Sequence, residues 1–193
     1  MSAAQDIAVA AARLVVEEGM EYAAAKRKAA RDFGTRPELP SHEQIEDAVR
    51  EHIELFLADR QRAELRALRE AALPWMQRLA EFRPHVFGAV WRGTATRLSS
   101  VHLDLYCDDP KAAEIALINA DVPYDVGSLQ RAGREPLSVL TVTERSRALG
   151  EPVTLHLLLR DLDEQRGALK PDARGRSWRG DLAALKRLME TET

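Results

Sequence analysis

The residues with the clearest chemical potential lie in Gly88–Asp109, GAVWRGTATRLSSVHLDLYCDD. Gly93-Thr94 reads as a tight turn, with Arg92 and Arg97 flanking it and Trp91 beside them. Two guanidinium groups around an exposed turn suit a phosphate, because backbone N–H groups and forked cationic donors both match its oxygens. The other reading puts both arginines on a solvated strand edge. Beyond the turn, Ser100, His102 and Asp104 recur at every second position. Side chains at i and i+2 of a strand point the same way, so this series shares one face. Strand pairing could bring His156 to His102 and Asp104. A His–Asp–His set suits zinc or a transition metal better than magnesium, which prefers oxygen ligands. No H-x-x-x-H spacing accompanies it, and the plain alternative is three polar residues hydrogen-bonded in or beside the core.

These residues need a sheet to position them, and the chain changes character near Phe82. Before it, the pattern is helical. Residues 3–18 place Ile7, Ala11, Leu14 and Val15 on one face, with Gly19 as a stop. A second helix covers 20–33, and the prolines of TRPELP make a linker. Ser41 and Gln44 form a capping box ahead of the stripe Ile45, Val49, Ile53, Phe56 and Leu57. A fourth helix covers 60–82, with a kink or restart expected at Pro74. After Pro84 the pattern alternates. Strands are expected at 85–91, 100–107, 122–127, 136–143 and 152–160. The last, VTLHLLLRD, is apolar enough to be buried on both faces. Asp109-Pro110 starts one helix, to about Ala120, and Asp181 starts the final one.

The order helix, strand, Gly-Thr, polar loop, strand, helix, strand resembles the nucleotidyltransferase superfamily. More narrowly, EEGMEYAAAKRKAARDFG, GAVWRGTATRLSSVHLDLYCDDPKAAEIALINADVPY and RGDLAALKRL resemble a group of bacterial proteins. In that group a helical N-terminal region precedes a degenerate nucleotidyltransferase-like domain. The resemblance implies a Gly-Ser turn that holds nucleotide phosphates. It also implies two carboxylates, two residues apart on the next strand, that hold two magnesium ions. Here Gly93-Thr94 stands at the turn. The acid pair falls either on Ser100 and His102 or on His102 and Asp104, so the strand retains no acid or one. For the third acid of the resemblance, the later strand offers His156 in its middle and Asp161 only at its end.

Bulk properties exclude several classes. A net charge of -3 over 193 residues gives no global pull toward nucleic acid or membrane. One cysteine allows no internal disulfide framework and no cysteine-based zinc site. Cys107 sits beside Asp108 and Asp109, whose charges raise a thiol pKa, and reads as core. There is no P-loop, no G-x-G-x-x-G and no G-x-S-x-G. The N-terminus lacks the basic start and apolar core of a secretory signal. No run approaches the roughly 18 apolar residues of a membrane span. Segment 166–187 holds seven basic and two acidic residues around three glycines. It reads either as a basic loop that closes over a phosphorylated ligand or touches RNA, or as a solvated face.

The expected fold is therefore α+β. A helical N-terminal region (1–82) packs with a small mixed sheet flanked by helices, the nucleotidyltransferase-like domain (83–193). The expected function is non-catalytic binding of a nucleotide, another phosphorylated ligand or a protein partner. Gly93, Thr94, Arg92, Arg97 and Ser100 are the binding candidates, and His102 and Asp104 line the pocket. Two alternatives stay open. One is an active nucleotidyltransferase with an atypical site, using magnesium or manganese, with His102 and Asp104 as catalytic candidates. The other is a scaffold whose Ala-rich helices bind a partner or a second copy. A reducing cytoplasm is the expected location.

Overall fold

A computed structural model describes residues 2–34, 37–172 and 175–192. Thr35 and Arg36 of the expected linker, and Arg174 of the basic segment, lie outside the described residues. The chain forms two compact units. One comprises Met1–Leu65 with Thr94–Ser99, and the other comprises Arg66–Gly93 with Ser100–Thr193.

The first unit is helical. Helix α1 (Ala3–Glu18) opens on a Ser2 capping box, α2 spans Tyr22–Ala30, and α3 (His42–Phe56) opens on the expected Ser41–Gln44 box. Small residues on α1 and α2 (Ala8, Ala11, Ala12, Ala25, Ala29) pack with Ile7, Val16, Ile45, Val49 and Ile53 in one apolar core. Phe56 departs from the expected stripe, being 68% exposed at the end of α3. Gly19 closes α1 at φ +68°, and a Cβ there would lie 2.9 Å from Leu98. Left-handed backbone and close approach together demand glycine at this stop.

Helix α4 (Ala58–Arg78) runs through Pro74 as one helix, with no restart at the proline. Leu65, Leu68, Ala72, Trp75, Met76 and Leu79 are all buried, which accounts for the helical spacing on both sides of the proline. In the second unit, β1 (His85–Phe87) is three residues long, and α5 (Gly88–Arg92) replaces the rest of the strand expected over 85–91. Then follow β2 (Val101–Tyr106), α6 (Pro110–Asn119), β3 (Asp125–Arg131), β4 (Arg134–Ser146) and β5 (Glu151–Arg160). Helix α7 (Glu164–Ala168), β6 (Arg179–Gly180) and α8 (Leu182–Thr191) complete the chain. Asp109 and Asp181 cap α6 and α8 as their positions predict.

The six strands form one mixed sheet in the order β3-β4-β5-β2-β1-β6. Among the described residues, β2 and β5 run parallel and the other neighbouring strands are antiparallel. The α+β class is thus as expected. Register sorts the side chains by face. Val86, Leu103, Leu157 and Leu140 align across four strands and are buried. The opposite face carries Phe87, His102, His156 and Thr141 in one row, and His85, Asp104 and Leu158 in the next. Strand β5 buries Val153, Leu155, Leu157 and Leu159 on one face. The other face combines buried Leu158 with half-buried Thr154, His156 and Arg160, so the expected burial on both faces is complete on one and partial on the other. Among the described residues, no helix is long and apolar enough to cross a membrane.

Truncating Leu157, fully buried at the sheet centre, is expected to cost about 2–5 kcal/mol as Leu157→Ala. Val126→Ser on the exposed edge strand β3 should stay within about 0.5 kcal/mol. Urea unfolding of the two variants checks the contrast.

Candidate functional site

Strand β2 settles its own register. His102, Asp104 and Tyr106 share the polar face, while Val101, Leu103 and Leu105 enter the core. His102 and Asp104 are therefore the pair that faces away from the apolar core. Asp104 is nevertheless 0% exposed, because two arginines cover it. Arg160 Nε, at the end of β5, donates to Asp104 Oδ1 at 2.5 Å. Arg179 Nε, on β6, donates to the other carboxylate oxygen, Oδ2. Both oxygens of the one acid in this register thus accept charge-assisted hydrogen bonds.

The network extends outward. Arg160 Nη1 donates to Glu164 on α7 at 3.2 Å, and Arg131 Nη1 reaches the same carboxylate at 2.8 and 3.1 Å. Burial alone pushes the Glu164 carboxyl up, but hydrogen bonds and charge from Arg131 and Arg160 outweigh it and hold the group below its ordinary range. Arg179 Nη1 also donates to the Ala168 carbonyl. Tyr106 lies at the edge of this cluster. Burial first, then the Asp104 charge, push its phenol up to about 12. Its hydroxyl meets no hydrogen-bond partner among the described residues. Above the cluster lies a cleft of about 750 Å³ whose lining includes Arg134, Arg160, Arg179 and Glu164.

The two strand histidines do meet. Their rings are 5.2 Å apart across the β2–β5 pair, and Phe87 extends the row at 5.5 Å from His102. His156 Nδ1 lies 3.0 Å from the Thr141 hydroxyl. The expected His102–Asp104–His156 metal set is not assembled. Asp104 faces two guanidinium groups, and no group of three or more His, Cys, Asp or Glu is placed to hold a metal among the described residues.

The turn candidates are differently engaged. Gly93 is the C-cap of α5 at φ +86°, and its N–H donates to the Ala89 carbonyl. A helix C-terminus presents carbonyl oxygens, the wrong polarity for an anion. The α5 carbonyls of Val90 and Trp91 are met by Arg69, which is buried and also pairs with Glu192. Arg92 stacks on the Trp178 ring at 3.5 Å, and Trp91 Nε1 donates to the Ser177 carbonyl. Thr94 and Arg97 belong to the helical unit, whereas Arg92, Gly93 and Ser100 belong to the sheet unit. Thr94 is buried, with its hydroxyl 3.0 Å from Tyr22 Oη. The Arg97 N–H donates to Glu64, and the Ala95 carbonyl accepts from Gln61. Arg97 itself is exposed and Ser100 half-buried at the entry to β2. Cys107 is buried as expected, and burial followed by Asp109, Asp161 and Asp108 pushes its thiol up.

The residues missing from the sequence-based set are Arg160, Arg179, Glu164 and Arg131. The one available signal was local. Arg160 is four residues past His156 on one strand face, and the basic segment holds Arg179 beside Gly180. That glycine lets the Trp91 ring approach, since a Cβ there would fall 2.1 Å from it.

The chain matches no protein-family profile and no curated protein. Among solved structures it is similar to the Cid1 poly(U) polymerase with MgGTP bound, at 21% identity and a TM-score of 0.35. That match covers 50% of this chain and 32% of the polymerase. A cytoplasmic RNA terminal U-transferase gives 22% identity and a TM-score of 0.35, over 50% of this chain and 30% of that protein. The chain thus spans about a third of the length of each protein.

Replacing Asp104 with alanine leaves Arg160 and Arg179 without their shared counter-ion and should cost about 3–5 kcal/mol by urea unfolding. Glu164→Gln tests the outer pair. Its folded carboxyl is depressed, so its contribution is full above the unfolded value of about 4.3 and is lost as pH falls through the lower folded value. The stability gap between wild type and Glu164→Gln should therefore be constant near neutrality and close only in that acid window.

Proposed function

We propose that the sheet unit is a nucleotidyltransferase-like domain without transfer chemistry, and that it binds a nucleotide or another phosphorylated ligand. The supporting observation is the state of Asp104. It is the single acid on the outward register of β2, and both of its oxygens accept from arginine. Two-metal transfer needs carboxylates open to cations. Here two guanidinium groups occupy that direction, and histidine stands at the flanking positions 102 and 156. The arrangement around them fits the same reading: a short strand, a helix ending at Gly93, the polar strand β2, and β5 parallel to it.

Positive charge supplied by arginine needs no metal. The reading predicts that a phosphorylated ligand raises the melting temperature equally with magnesium, manganese, zinc or chelator. At a concentration 100 times its Kd, such a ligand adds about 2.7 kcal/mol by mass action. Thermal-shift measurements over nucleoside mono-, di- and triphosphates test this. Alongside them, incubation with labelled nucleoside triphosphates should give no label transfer. Transfer that requires magnesium or manganese and disappears in folded Asp104→Asn would contradict the proposal.

A further inference from the structure

The cleft above Asp104 has a charge pattern that selects among phosphorylated ligands. Arg134, Arg160 and Arg179 line it together with Asp108, Asp161, Asp163 and Glu164. Three cations against four carboxylates leave a formal net charge of −1 on the lining. The two signs have different structural engagements. Arg160 and Arg179 are only 15% and 19% exposed and converge on the buried Asp104. A guanidinium carries five N–H donors. Arg160 uses Nε and Nη1 for Asp104 and Glu164, and Arg179 uses them for Asp104 and Ala168. The Nη2 of each makes no hydrogen bond to protein among the described residues. Arg134 is exposed at the start of β4.

We infer that this cleft, and not the Gly93-Thr94 turn, holds the phosphoryl group, and that it accepts one phosphoryl group rather than a polyphosphate chain. The inference rests on the phosphorylated-ligand reading above and assigns its site. The Nη2 groups of Arg160 and Arg179, with the guanidinium of Arg134, supply the donors. They are held in place before binding, because Asp104 and Glu164 already orient two of the three. A phosphomonoester dianion is matched by this set. A triphosphate brings further negative charge against Asp108, Asp161 and Asp163, and like charges in a partly enclosed cleft repel strongly. The rest of the ligand is therefore neutral or cationic where it meets those acids.

The test uses the full chain and calorimetric titration with phenyl phosphate, AMP and ATP in chelator. The expected order is AMP and phenyl phosphate tighter than ATP. Arg134→Ala removes one charge-assisted donor and should weaken AMP about tenfold or more. Arg134 supports no buried pair, so the variant should fold normally, and its melting temperature without ligand provides the control. Asp163→Asn should strengthen ATP more than AMP. Arg92→Ala should leave AMP affinity unchanged. Binding of AMP that is unaffected by Arg134→Ala and by Arg179→Lys would overturn the site while leaving the binding reading standing. ATP tighter than AMP without metal would overturn the selectivity. No binding by any of the three would end both proposals.

Discussion

The sheet unit is organised around a buried carboxylate that must be neutralised. Asp104 stands mid-strand at 0% exposure, where an unpaired charge would cost several kcal/mol. Its counter-ions come from distant segments, Arg160 at the end of β5 and Arg179 on β6. Strand β6 is two residues long and has little stability of its own. Its pairing with β1, the ion pair of Arg179 and the close fit of Gly180 under Trp91 hold it to the sheet. Arg160 carries the constraint outward through Glu164 to Arg131, so α7 and the β3–β4 hairpin join the same network. One acid thereby ties several elements to the polar face.

That commitment also defines the chemistry left to the face. A carboxylate with both oxygens engaged by arginine is a counter-ion. The neighbouring imidazoles, with Phe87 and Thr141, form a row of rings and a hydroxyl across four strands. Above Asp104 is a cleft in which guanidinium groups lie among carboxylates. The occupant proposed for that cleft is a single anionic group.

Much of the framework was legible because its signals are local. Ser41 with Gln44, Asp109-Pro110 and Asp181 each mark a helix start through contacts within a few residues, and each does so in the structure. The period-two pattern of β2 placed His102 and Asp104 on one face, and the parallel register with β5 brings His156 opposite His102. What escaped depends on long-range partners. GAVWR reads as a strand continuation, yet it forms α5, with Val90 buried and two of its carbonyls capped by Arg69 from α4. Thr94 looks like a ligand-binding hydroxyl until Tyr22, 72 residues earlier, meets it. Arg160 and Arg179 are 56 and 75 residues from Asp104, so the sequence displays their charge without their partner.

The central claim is that Asp104 serves as a counter-ion to arginine and not as a metal ligand. The most direct measurement is manganese titration followed by electron paramagnetic resonance, with ATP present, on wild type and on folded Asp104→Asn. If Asp104 is a counter-ion, the free manganese signal has the same dependence on protein concentration in both. A stoichiometric manganese site in wild type that is lost in Asp104→Asn would contradict the account.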